Sequence, residues 1–397
     1  MGNRYLQEQL NALNLPVLYT EQYCEPTGNE AYYLVEADPV LLKNITCTIE
    51  DDSPLGRLFD MDVLTLAGKK IDREELNFPH RTCLICQKFA KECTRSRTHT
   101  VEELQRRTHK LLTDAVDETD AADAARLALK AILYEVCTTP KPGLVDCANS
   151  GSHQDMNLFT FMDSASTLWP YFQTCVKIGR KTADRSPKET FRQLRTAGRK
   201  AEAAMFSATK GVNTHKGAVF SMGILCAALG RQSREQWKQP DVIVQECAAM
   251  TKGLVEADFA GLTPEKAYTI GQKLYLQYRI SGVRGQMEKG LPAVREVGLP
   301  VLKQGISRGL PLNDAGCVTL LALISAVTDT NLIARSSFSE QQKTAARIKT
   351  LLQKEPYPNK DVLQQLDEEF ITKNLSPGGS ADMLTVCYFL YFLETEV

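Results

Sequence analysis

The chain has 397 residues, and 47 Lys and Arg against 48 Asp and Glu leave a formal net charge of −1. Hydrophobic residues make up 43% and charged residues 24%, which is ordinary for a globular protein, and the length suggests two or three domains. The balanced charge argues against a protein that coats nucleic acid. The longest apolar stretches, residues 218–229 and 383–393, are too short to cross a bilayer. We therefore expect neither a nucleic-acid nor a membrane partner.

The beginning of the chain has no long apolar region of the kind found in a secretory signal. Without such a signal, the 12 cysteines are better explained by a reducing compartment than by disulfides, so we expect a cytoplasmic protein. Most of the cysteines lie in apolar helical contexts, where a thiol packs as a small hydrophobic side chain.

The first block, up to about residue 112, mixes short strand-like runs with turns. Residues 32–35 and 45–49 are predicted strands, and residues 63–66 and Ile71 are predicted to form a hairpin. From Val101 the pattern changes to that of a helix. We expect a small mixed α/β domain over residues 1–115.

A polar, acidic stretch over residues 114–123 marks the expected domain boundary, and beyond it the pattern is helical almost to the end. No strand ladder is expected after residue 125. The fold class is therefore multidomain α+β, with a large all-α domain over residues 118–397. Its last three helices are predicted to begin at caps and to run to about residues 353, 370 and 393; the caps are Ser339, Asp361 and Ser380.

Four polar, glycine-rich loops interrupt the predicted helices of the second block. Glycine allows backbone N–H groups to approach a ligand, and a helix that starts after such a loop offers an anion site. Each loop alone is typical of an ordinary helix-capping turn, but four on one helical scaffold indicate a polyphosphate site. The loops are residues 139–146, 151–156, 211–217 and 374–382, and the basic residues available to them are Lys141, Lys216 and Arg284.

The motifs PKPGLVD, GSHQDM, GVNTHKG, SGVRG, DTNLIAR and NLSPGGSAD follow one another in residues 118–397. In this order they resemble the triphosphoribosyl-dephospho-CoA synthase family. The resemblance implies ATP and 3′-dephospho-CoA as substrates. In that reaction the 2′-hydroxyl of dephospho-CoA attacks C1 of the ATP ribose, adenine leaves, and the triphosphate stays on the transferred ribose. ATP would bring Mg²⁺ or another divalent metal.

Displacement at an anomeric carbon requires a carboxylate near the nucleophile, and adenine leaves more easily when an acid protonates it. The alternative to a catalytic role for Asp382 is a structural one, in which its negative charge stabilises a helix N-terminus. Ser336 and Ser337 stand where the family has glycine, and this difference weakens only the nucleotide contact expected of Arg335. The candidate carboxylates are Asp146, Asp155, Asp329 and Asp382, of which Asp382 could also bind metal, and the candidate acids are His153 and His215. The residues expected to contact the nucleotide are Lys141, Gly143, Asn213, Thr214, Lys216, Gly217, Arg284, Arg335, Asn374, Ser376, Gly378, Gly379 and Ser380.

Two features of the first block could bind metal. Asp60 and Asp62 alternate on a predicted strand, which would direct both carboxylates to one face, where they could hold Mg²⁺ as in nucleotidyltransferases. A D-x-D pattern also occurs by chance. Separately, the spacing of three cysteines and a histidine permits a zinc site, but we favour buried free thiols; these residues are Cys83, Cys86, Cys93 and His99.

The segments PLGRLFDMDVLT and RTCLICQKFAKECTRSRTH resemble the holo-citrate lyase synthase family, which is the apo-citrate lyase phosphoribosyl-dephospho-CoA transferase. The resemblance implies transfer of the product of the second block to a serine of the acyl carrier (gamma) subunit of citrate lyase, with release of pyrophosphate. Family members carry several dozen residues before the matching part, so we expect a truncated domain. The resemblance assigns phosphate or metal contacts to Arg57, Asp60 and Asp62, and phosphate contacts to Arg81, Arg95 and His99.

Three alternatives stay open. The second block could hydrolyse a nucleotide as an N-glycosidase, with water in place of dephospho-CoA. The first block could be a non-catalytic module that docks the carrier subunit while only the second block is active. The whole chain could also be a scaffold without catalysis.

Overall fold

The computed structural model describes residues 2–25 and 28–397. Internal contacts divide the chain into two compact units, residues 1–118 and residues 119–397. The helix that contains this division runs without interruption from Val101 to Cys137. No helix among the described residues is both long enough and apolar enough to cross a membrane.

The first unit combines an antiparallel hairpin with short helices. Its two strands pair with each other in a two-stranded sheet whose side chains are largely exposed. Leu10, Ile45 and Val63 contribute to a small core. The elements are α1 (Gly2–Ala12), β1 (Val17–Glu25), β2 (Gly28–Val35), α2 (Pro39–Asp51), α3 (Ala90–Ser96) and the beginning of α4 (Val101–Cys137), with 3₁₀ turns at Gly56–Leu58 and Arg73–Leu76.

One of the strands predicted in this unit is a helix. Residues 32–35 lie in β2, as predicted, but residues 45–49 belong to α2. Asp38 caps this helix, and Ile45 and Ile49, which are one turn apart, are both buried. Burial of this helical face outweighs the preference of β-branched residues for strands, so the strand prediction was wrong here.

The second unit is helical, as the sequence pattern predicts, and no strand occurs among its described residues. Its helices are the end of α4, α5 (Leu158–Ser166), α6 (Trp169–Lys181), α7 (Pro187–Ala208), α8 (Lys216–Arg231), α9 (Pro240–Thr251), α10 (Leu254–Phe259), α11 (Ile270–Tyr278), α12 (Gly282–Glu288), α13 (Leu299–Ser307), α14 (Leu312–Ala326), α15 (Thr330–Arg335), α16 (Phe338–Lys354), α17 (Lys360–Thr372) and α18 (Gly378–Glu396). Shorter turns are the 3₁₀ segments Arg234–Lys238 and Pro264–Lys266 and the π-helical segment Ala293–Gly298.

Helices α8, α14 and α18 form the centre of the second unit. Apolar side chains cover almost the whole circumference of each of these helices. Their buried stretches include most of residues 218–230, 315–324 and 380–393. A helix that is apolar on all sides must lie inside the protein. The outer helices are amphipathic and cover the central ones; α6 packs on α8, and α16 packs on α14.

The starts of the last three helices differ from the predicted caps. Ser337, rather than Ser339, caps α16, and Asn359, rather than Asp361, caps α17. Both caps are extended residues whose side chains accept a backbone N–H three residues later. Ser380 lies inside the first turn of α18 and is fully buried, so it does not cap that helix.

Candidate active site

The polar loops of the second unit converge on one cleft of about 700 Å³. The first residues of α8 and α18 border it, so the positive ends of two long helices lie at the cleft. Residues from all the singled-out loops line the cleft. Of the residues that the sequence suggested, the cleft is lined by Lys141, His153, Asp155, Asn213, Thr214, His215, Lys216, Gly217, Asp329, Arg335, Ser376, Gly378, Gly379 and Asp382.

The predicted base Asp146 does not line the cleft. It is buried, and its carboxylate accepts hydrogen bonds from the backbone N–H groups of Lys141, Ala148 and Asn149 at 2.7–3.0 Å. These bonds close the loop that follows α4. Asp146 therefore stabilises the loop rather than facing a ligand.

Gly143 also supports the same loop from outside the cleft. Its φ is +70°, and a Cβ there would collide with the carbonyl oxygen of Leu375 and lie 2.9 Å from the Cβ of Phe370. Its backbone N–H donates to the carboxylate of Asp367 at 2.9 Å. Only glycine fits this close approach, so its role is to pack the loop against α17 and the start of the last loop.

Lys141 reaches the cleft as part of a buried ion pair. Its Nζ donates to the carboxylate of Glu135 at 2.5 Å and to the carbonyl of the same residue at 2.7 Å. Both side chains are almost completely buried, and burial raises the pKa of Glu135 although Lys141 opposes this. Lys141 is thus committed to a carboxylate rather than free for phosphate. The sequence reasoning missed Glu135, although a single Glu between Ile132 and Val136 on an apolar helix was a signal for it.

Asp329 connects the starts of two helices at the cleft. One carboxylate oxygen accepts the N–H groups of Asn331 and Leu332 in α15, and the other accepts the N–H and the hydroxyl of Ser380 in α18 at 2.7 and 2.9 Å. Burial raises its pKa, while the N–H and hydroxyl donors lower it. With four donors on its two oxygens, Asp329 is held in place as a cap.

Asp382, two residues after Ser380 in α18, has a different environment. Its carboxylate packs against Gly217 so closely that a Cβ on that glycine would collide with it, and it accepts the backbone N–H of Ala218 at the start of α8. Burial, and then the charges of Glu135 and Asp329, raise the pKa of Asp382 well above its usual value. Asp382 therefore has few donors and lines the cleft, and its carboxylate has a higher proton affinity than a solvated one.

His153 is fixed by partners on both ring nitrogens. The guanidinium of Arg335 donates to Nδ1 at 2.9 Å, and Nε2 lies 2.9 Å from the hydroxyl of Ser376. Because arginine can only donate, Nδ1 accepts, and the proton is on Nε2, which donates to Ser376. Burial and the charge of Arg335 lower the pKa of His153, so this histidine is neutral and positions its neighbours.

His215 is buried and keeps one ring nitrogen without a protein partner. Its Nδ1 pairs with the hydroxyl of Ser164 at 2.7 Å, and Phe161 packs edge-on against its ring at 5.0 Å. The Nε2 of His215 and the hydroxyl of the adjacent Thr214 are buried and form no hydrogen bond within the described residues. Burial and the charge of Lys141 lower the pKa of His215 to about 3. Two unsatisfied polar atoms at a cleft indicate contacts with a ligand.

The cleft contains basic residues that the sequence did not suggest. Arg279 and Lys289 also line it, and together with Arg335 they form no ion pair within the described part of the chain. Lys216 is half exposed and lies 3.4 Å from Glu202. These four cations are exposed or half-buried, whereas Glu135 and Asp329 in the same cleft are buried.

Arg284 does not belong to this cleft. Its Nε donates to Asp258 at 2.8 Å, and its guanidinium lies over Phe220 and Phe259. With Asp258 it lines a second cavity of about 340 Å³. The SGVRG motif instead contributes other residues to the first cleft, which are Ser281, Gly282, Val283 and Gly285. Two further predicted contacts, Asn374 and Ser380, are not on its lining.

In the first unit, one arginine cluster brings together three of the singled-out residues. Arg81 donates to the carboxylate of Asp60 at 2.9 Å and to the carbonyls of Arg57 and Phe59. Arg57 donates to the carbonyl of Thr82. Burial, and then the charge of Arg81, lower the pKa of Arg57. These contacts tie the PLGRLFD segment to the start of the cysteine-containing segment.

The predicted strand around Asp60 and Asp62 is absent. Both carboxylates are exposed, and Asp62 pairs with Lys70 at 2.6 Å. The predicted hairpin is present in short form: Leu64 and Lys70 form an antiparallel bridge, and the N–H of Ile71 donates to the carbonyl of Val63 at 3.0 Å. Neither Asp60, Asp62 nor Asp382 belongs to a group of three or more candidate metal ligands within the described residues. His99 lies beside three cysteines, and Arg95 is exposed on α3.

Comparisons with known proteins agree with the two-part organisation. Residues 121–397 match the family model described as ATP:dephospho-CoA triphosphoribosyl transferase, CitG, and residues 1–115 match CitX, the apo-citrate lyase phosphoribosyl-dephospho-CoA transferase. Protein CitXG of Leuconostoc mesenteroides is 36% identical over 92% of this chain and 80% of its own length. Protein CitXG of Haemophilus influenzae is 34% identical over 96% of this chain and 84% of its own length.

A shorter relative matches the second unit alone. The probable 2-(5″-triphosphoribosyl)-3′-dephosphocoenzyme-A synthase of Streptococcus mutans is 36% identical over 69% of this chain and 97% of its own length. The second unit therefore corresponds to a protein that exists by itself, and the longer relatives carry both parts. The chain belongs to the CitXG family, in which CitX and CitG parts are fused, and it is a transferase of citrate lyase prosthetic-group synthesis.

Proposed function

We propose that the second unit transfers the triphosphoribosyl group of ATP to the 2′-hydroxyl of 3′-dephospho-CoA and releases adenine. The family match over residues 121–397 supports this reaction. The observation that carries the proposal is the composition of one cleft, in which Asp382, the unpartnered Nε2 of His215 and unpaired cations lie together. A carboxylate base, a donor for the leaving group and charges for a triphosphate are the groups that this chemistry needs.

The triphosphate would lie at the opening of the cleft, with Mg²⁺ as part of the ATP substrate. Arg279, Lys289 and Arg335 have no ion-pair partner within the described chain, so their charge is available to phosphate oxygens. Lys216 and the N–H groups at the start of α8 add to this field. Lys141 would act indirectly, by balancing Glu135 below the site.

Asp382 is our choice for the general base. The 2′-hydroxyl gives its proton to this carboxylate while its oxygen forms a bond to C1 of the ribose, and the C1–N9 bond breaks with its electron pair going to adenine. A carboxylate whose pKa is raised by burial is, in its ionised form, a stronger base than a fully solvated one. Asp329 is less suited because four donors already stabilise its charge.

His215 would assist departure of adenine. In the tautomer that carries the proton on Nε2, Ser164 donates to Nδ1 and Nε2 is free to donate to a ring nitrogen of adenine. With a pKa of about 3, the ring stays neutral, so it supplies a hydrogen bond rather than a full proton transfer. Adenine leaves with the electron pair of the C1–N9 bond and takes up a proton from solvent, and Asp382 releases to solvent the proton that it took from the hydroxyl, so the step balances.

The test is incubation of the full chain with ATP, Mg²⁺ and 3′-dephospho-CoA, with adenine measured by chromatography and the nucleotide product by mass spectrometry. We expect equimolar adenine and triphosphoribosyl-dephospho-CoA. Adenine release that does not depend on dephospho-CoA would identify an N-glycosidase instead. Absence of adenine under every condition would contradict the proposal and favour a scaffold without catalysis.

For the first unit we propose transfer of phosphoribosyl-dephospho-CoA to a serine of the citrate lyase acyl carrier protein, with release of pyrophosphate. The CitX match and the cluster of Arg57, Asp60 and Arg81 support nucleotidyltransferase-like chemistry there. Adding apo-carrier protein to the same incubation should increase its mass by the prosthetic group. Soluble product without that mass gain would favour a docking role. The 12 free cysteines support a reducing, cytoplasmic location.

A further inference from the structure

Three cysteines and a histidine of the first unit face one another. Cys83 and Cys86 lie on the turn before α3, Cys93 lies in α3, and His99 precedes α4. One ligand atom from each of the four lies within 4.8 Å of the others, and no second group of this kind occurs in residues 2–25 and 28–397. The four residues, called the Cys₃His cluster below, come together although 16 positions separate the first from the last.

The turn that carries the first two cysteines is shaped to present sulfur. An isolated bridge between Thr82 and Phe89 closes it, and the N–H of Cys83 donates to the carbonyl of Lys88 at 2.6 Å. The N–H of Ile85 points at the Sγ of Cys83, 3.4 Å away. A backbone N–H directed at sulfur stabilises a thiolate, which is the form that binds metal.

His99 supplies the second, independent observation. Its Nε2 is buried and forms no hydrogen bond within the described residues. A buried nitrogen without a partner costs about 1–3 kcal/mol. The adjacent N–H of Thr98 donates to the carbonyl of Cys93, so the chain between the third and fourth members of the cluster is also fixed. A metal ion would satisfy the orphaned nitrogen.

We propose that the Cys₃His cluster binds one zinc ion. Zn–S bonds of about 2.3 Å and Zn–N bonds of about 2.0 Å place neighbouring ligands of a tetrahedron roughly 3.5–3.8 Å apart. The sulfurs of Cys86 and Cys93 are 3.4 Å apart, and the remaining separations fall within 4.8 Å. Three soft thiolates and one imidazole are a typical set of zinc ligands, and binding would release the three thiol protons.

The ion would have a structural role, because four protein ligands leave no open position for a substrate. Arg81 directly precedes the cluster and contacts Asp60 and the carbonyl of Arg57, and Thr82 accepts from Arg57. Arg107 in α4 donates to the carbonyl of Leu84. Zinc would therefore hold together the segment that orients the arginine cluster of the first unit.

The experiment measures zinc directly in the full chain, purified under reducing conditions from zinc-containing medium and dialysed against EDTA. We expect about one zinc per chain by mass-spectrometric metal analysis, in the wild type and in the matched control Cys24→Ser, whose cysteine is exposed in β1. Cys86→Ser and His99→Ala should retain at least tenfold less zinc after the same dialysis. Equal zinc content in all four proteins, or only traces in the wild type, would overturn the proposal.

Cobalt substitution tests the ligands without relying on variants that may misfold. The wild-type chain reconstituted with Co²⁺ should show thiolate-to-cobalt charge-transfer bands and the intense visible bands of tetrahedral cobalt. A weak octahedral spectrum would contradict the assignment. So would a peptide map of the untreated protein that links Cys86 to Cys93, since a disulfide would consume two of the ligands. None of these readings depends on adenine release, so the zinc proposal and the proposed function can fail separately.

Discussion

Replacing Asp382 by asparagine separates two roles of its carboxylate, a base in the cleft and a cap on α8. The asparagine side chain has the same shape, and its amide oxygen can still accept the N–H of Ala218. The substitution therefore removes the charge and the basicity while it keeps the capping acceptor. If Asp382 is the general base, kcat for adenine release should fall by about 10²–10⁴-fold, which is the usual contribution of such a group.

The structure also predicts whether Asp382→Asn stabilises or destabilises the protein. A negative charge near a helix N-terminus contributes about 0.3–1 kcal/mol. Burial and the nearby charges of Glu135 and Asp329 act in the opposite direction, and they dominate, because the pKa of Asp382 is raised well above its usual value. Removal of the charge should increase the free energy of unfolding, by about 1 kcal/mol, which is the scale of similar relief of unfavourable interactions. For a unit of this size we expect the melting temperature to rise by about 2–4 °C.

The pH dependence supplies the sharper test. Since the folded pKa of Asp382 exceeds the unfolded value of about 3.9, the unfolded chain loses this proton first, and the wild type loses stability as the pH rises from that value toward the folded pKa. The melting temperatures of the wild type and Asp382→Asn should coincide near pH 3.5 and diverge as the pH rises above it. Asp361→Asn, on the exposed first turn of α17, is the matched control: it should leave kcat unchanged and lower the stability by about 0.3–1 kcal/mol, the opposite sign to Asp382→Asn. A less stable Asp382→Asn protein with unchanged kcat would refute the base assignment.

The remaining predictions concern buried charges of the second unit. Lys141→Met should lower the free energy of unfolding in urea by about 3–5 kcal/mol, because it leaves Glu135 buried without its counter-ion. The double variant with Glu135→Gln should recover most of this loss. Equal losses in the single and double variants would contradict a charge effect. His215 has a folded pKa of about 3 against about 6.5 when unfolded, so the unfolded chain takes up the proton and stability falls as the pH drops from about 6.5 toward 3. His215→Gln should flatten that part of the curve and lower kcat, whereas His109→Gln, an exposed control, should leave both unchanged.

Loop chemistry could be predicted from the sequence because it depends on short, local motifs. Glycine next to polar residues at the ends of apolar helices indicated an anion site, and those loops do share one cleft. The all-α character of the second unit was equally visible, since periodic apolar residues dominate it. In the first unit the β-branched run at residues 45–49 misled the prediction, because the cap at Asp38 and the burial of one helical face are decided by partners elsewhere in the chain.

The roles of the basic residues could not be predicted in the same way. Arg284 lies in a motif, but its partner Asp258 is 26 positions earlier, on another helix, and this pairing directs it to a second cavity. Arg279 and Lys289 lie in no recognisable motif and still reach the cleft. Whether a cation is free for phosphate depends on which carboxylate folding places beside it, and that is a property of tertiary contacts.

The two aspartates Asp329 and Asp382 illustrate why a motif alone does not assign a base. Both lie at the start of a helix, in sequence contexts that the same family pattern covers, and both line the cleft. Asp329 receives four donors and holds α15 and α18 together, so the fold needs its charge where it is. Asp382 receives the N–H of Ala218 and lies near the carboxylates of Glu135 and Asp329, so its negative charge is disfavoured and accepting a proton relieves it. The carboxylate that the fold solvates least is the one best able to take a proton from a substrate hydroxyl, and this difference in donors, invisible in the sequence, selects Asp382.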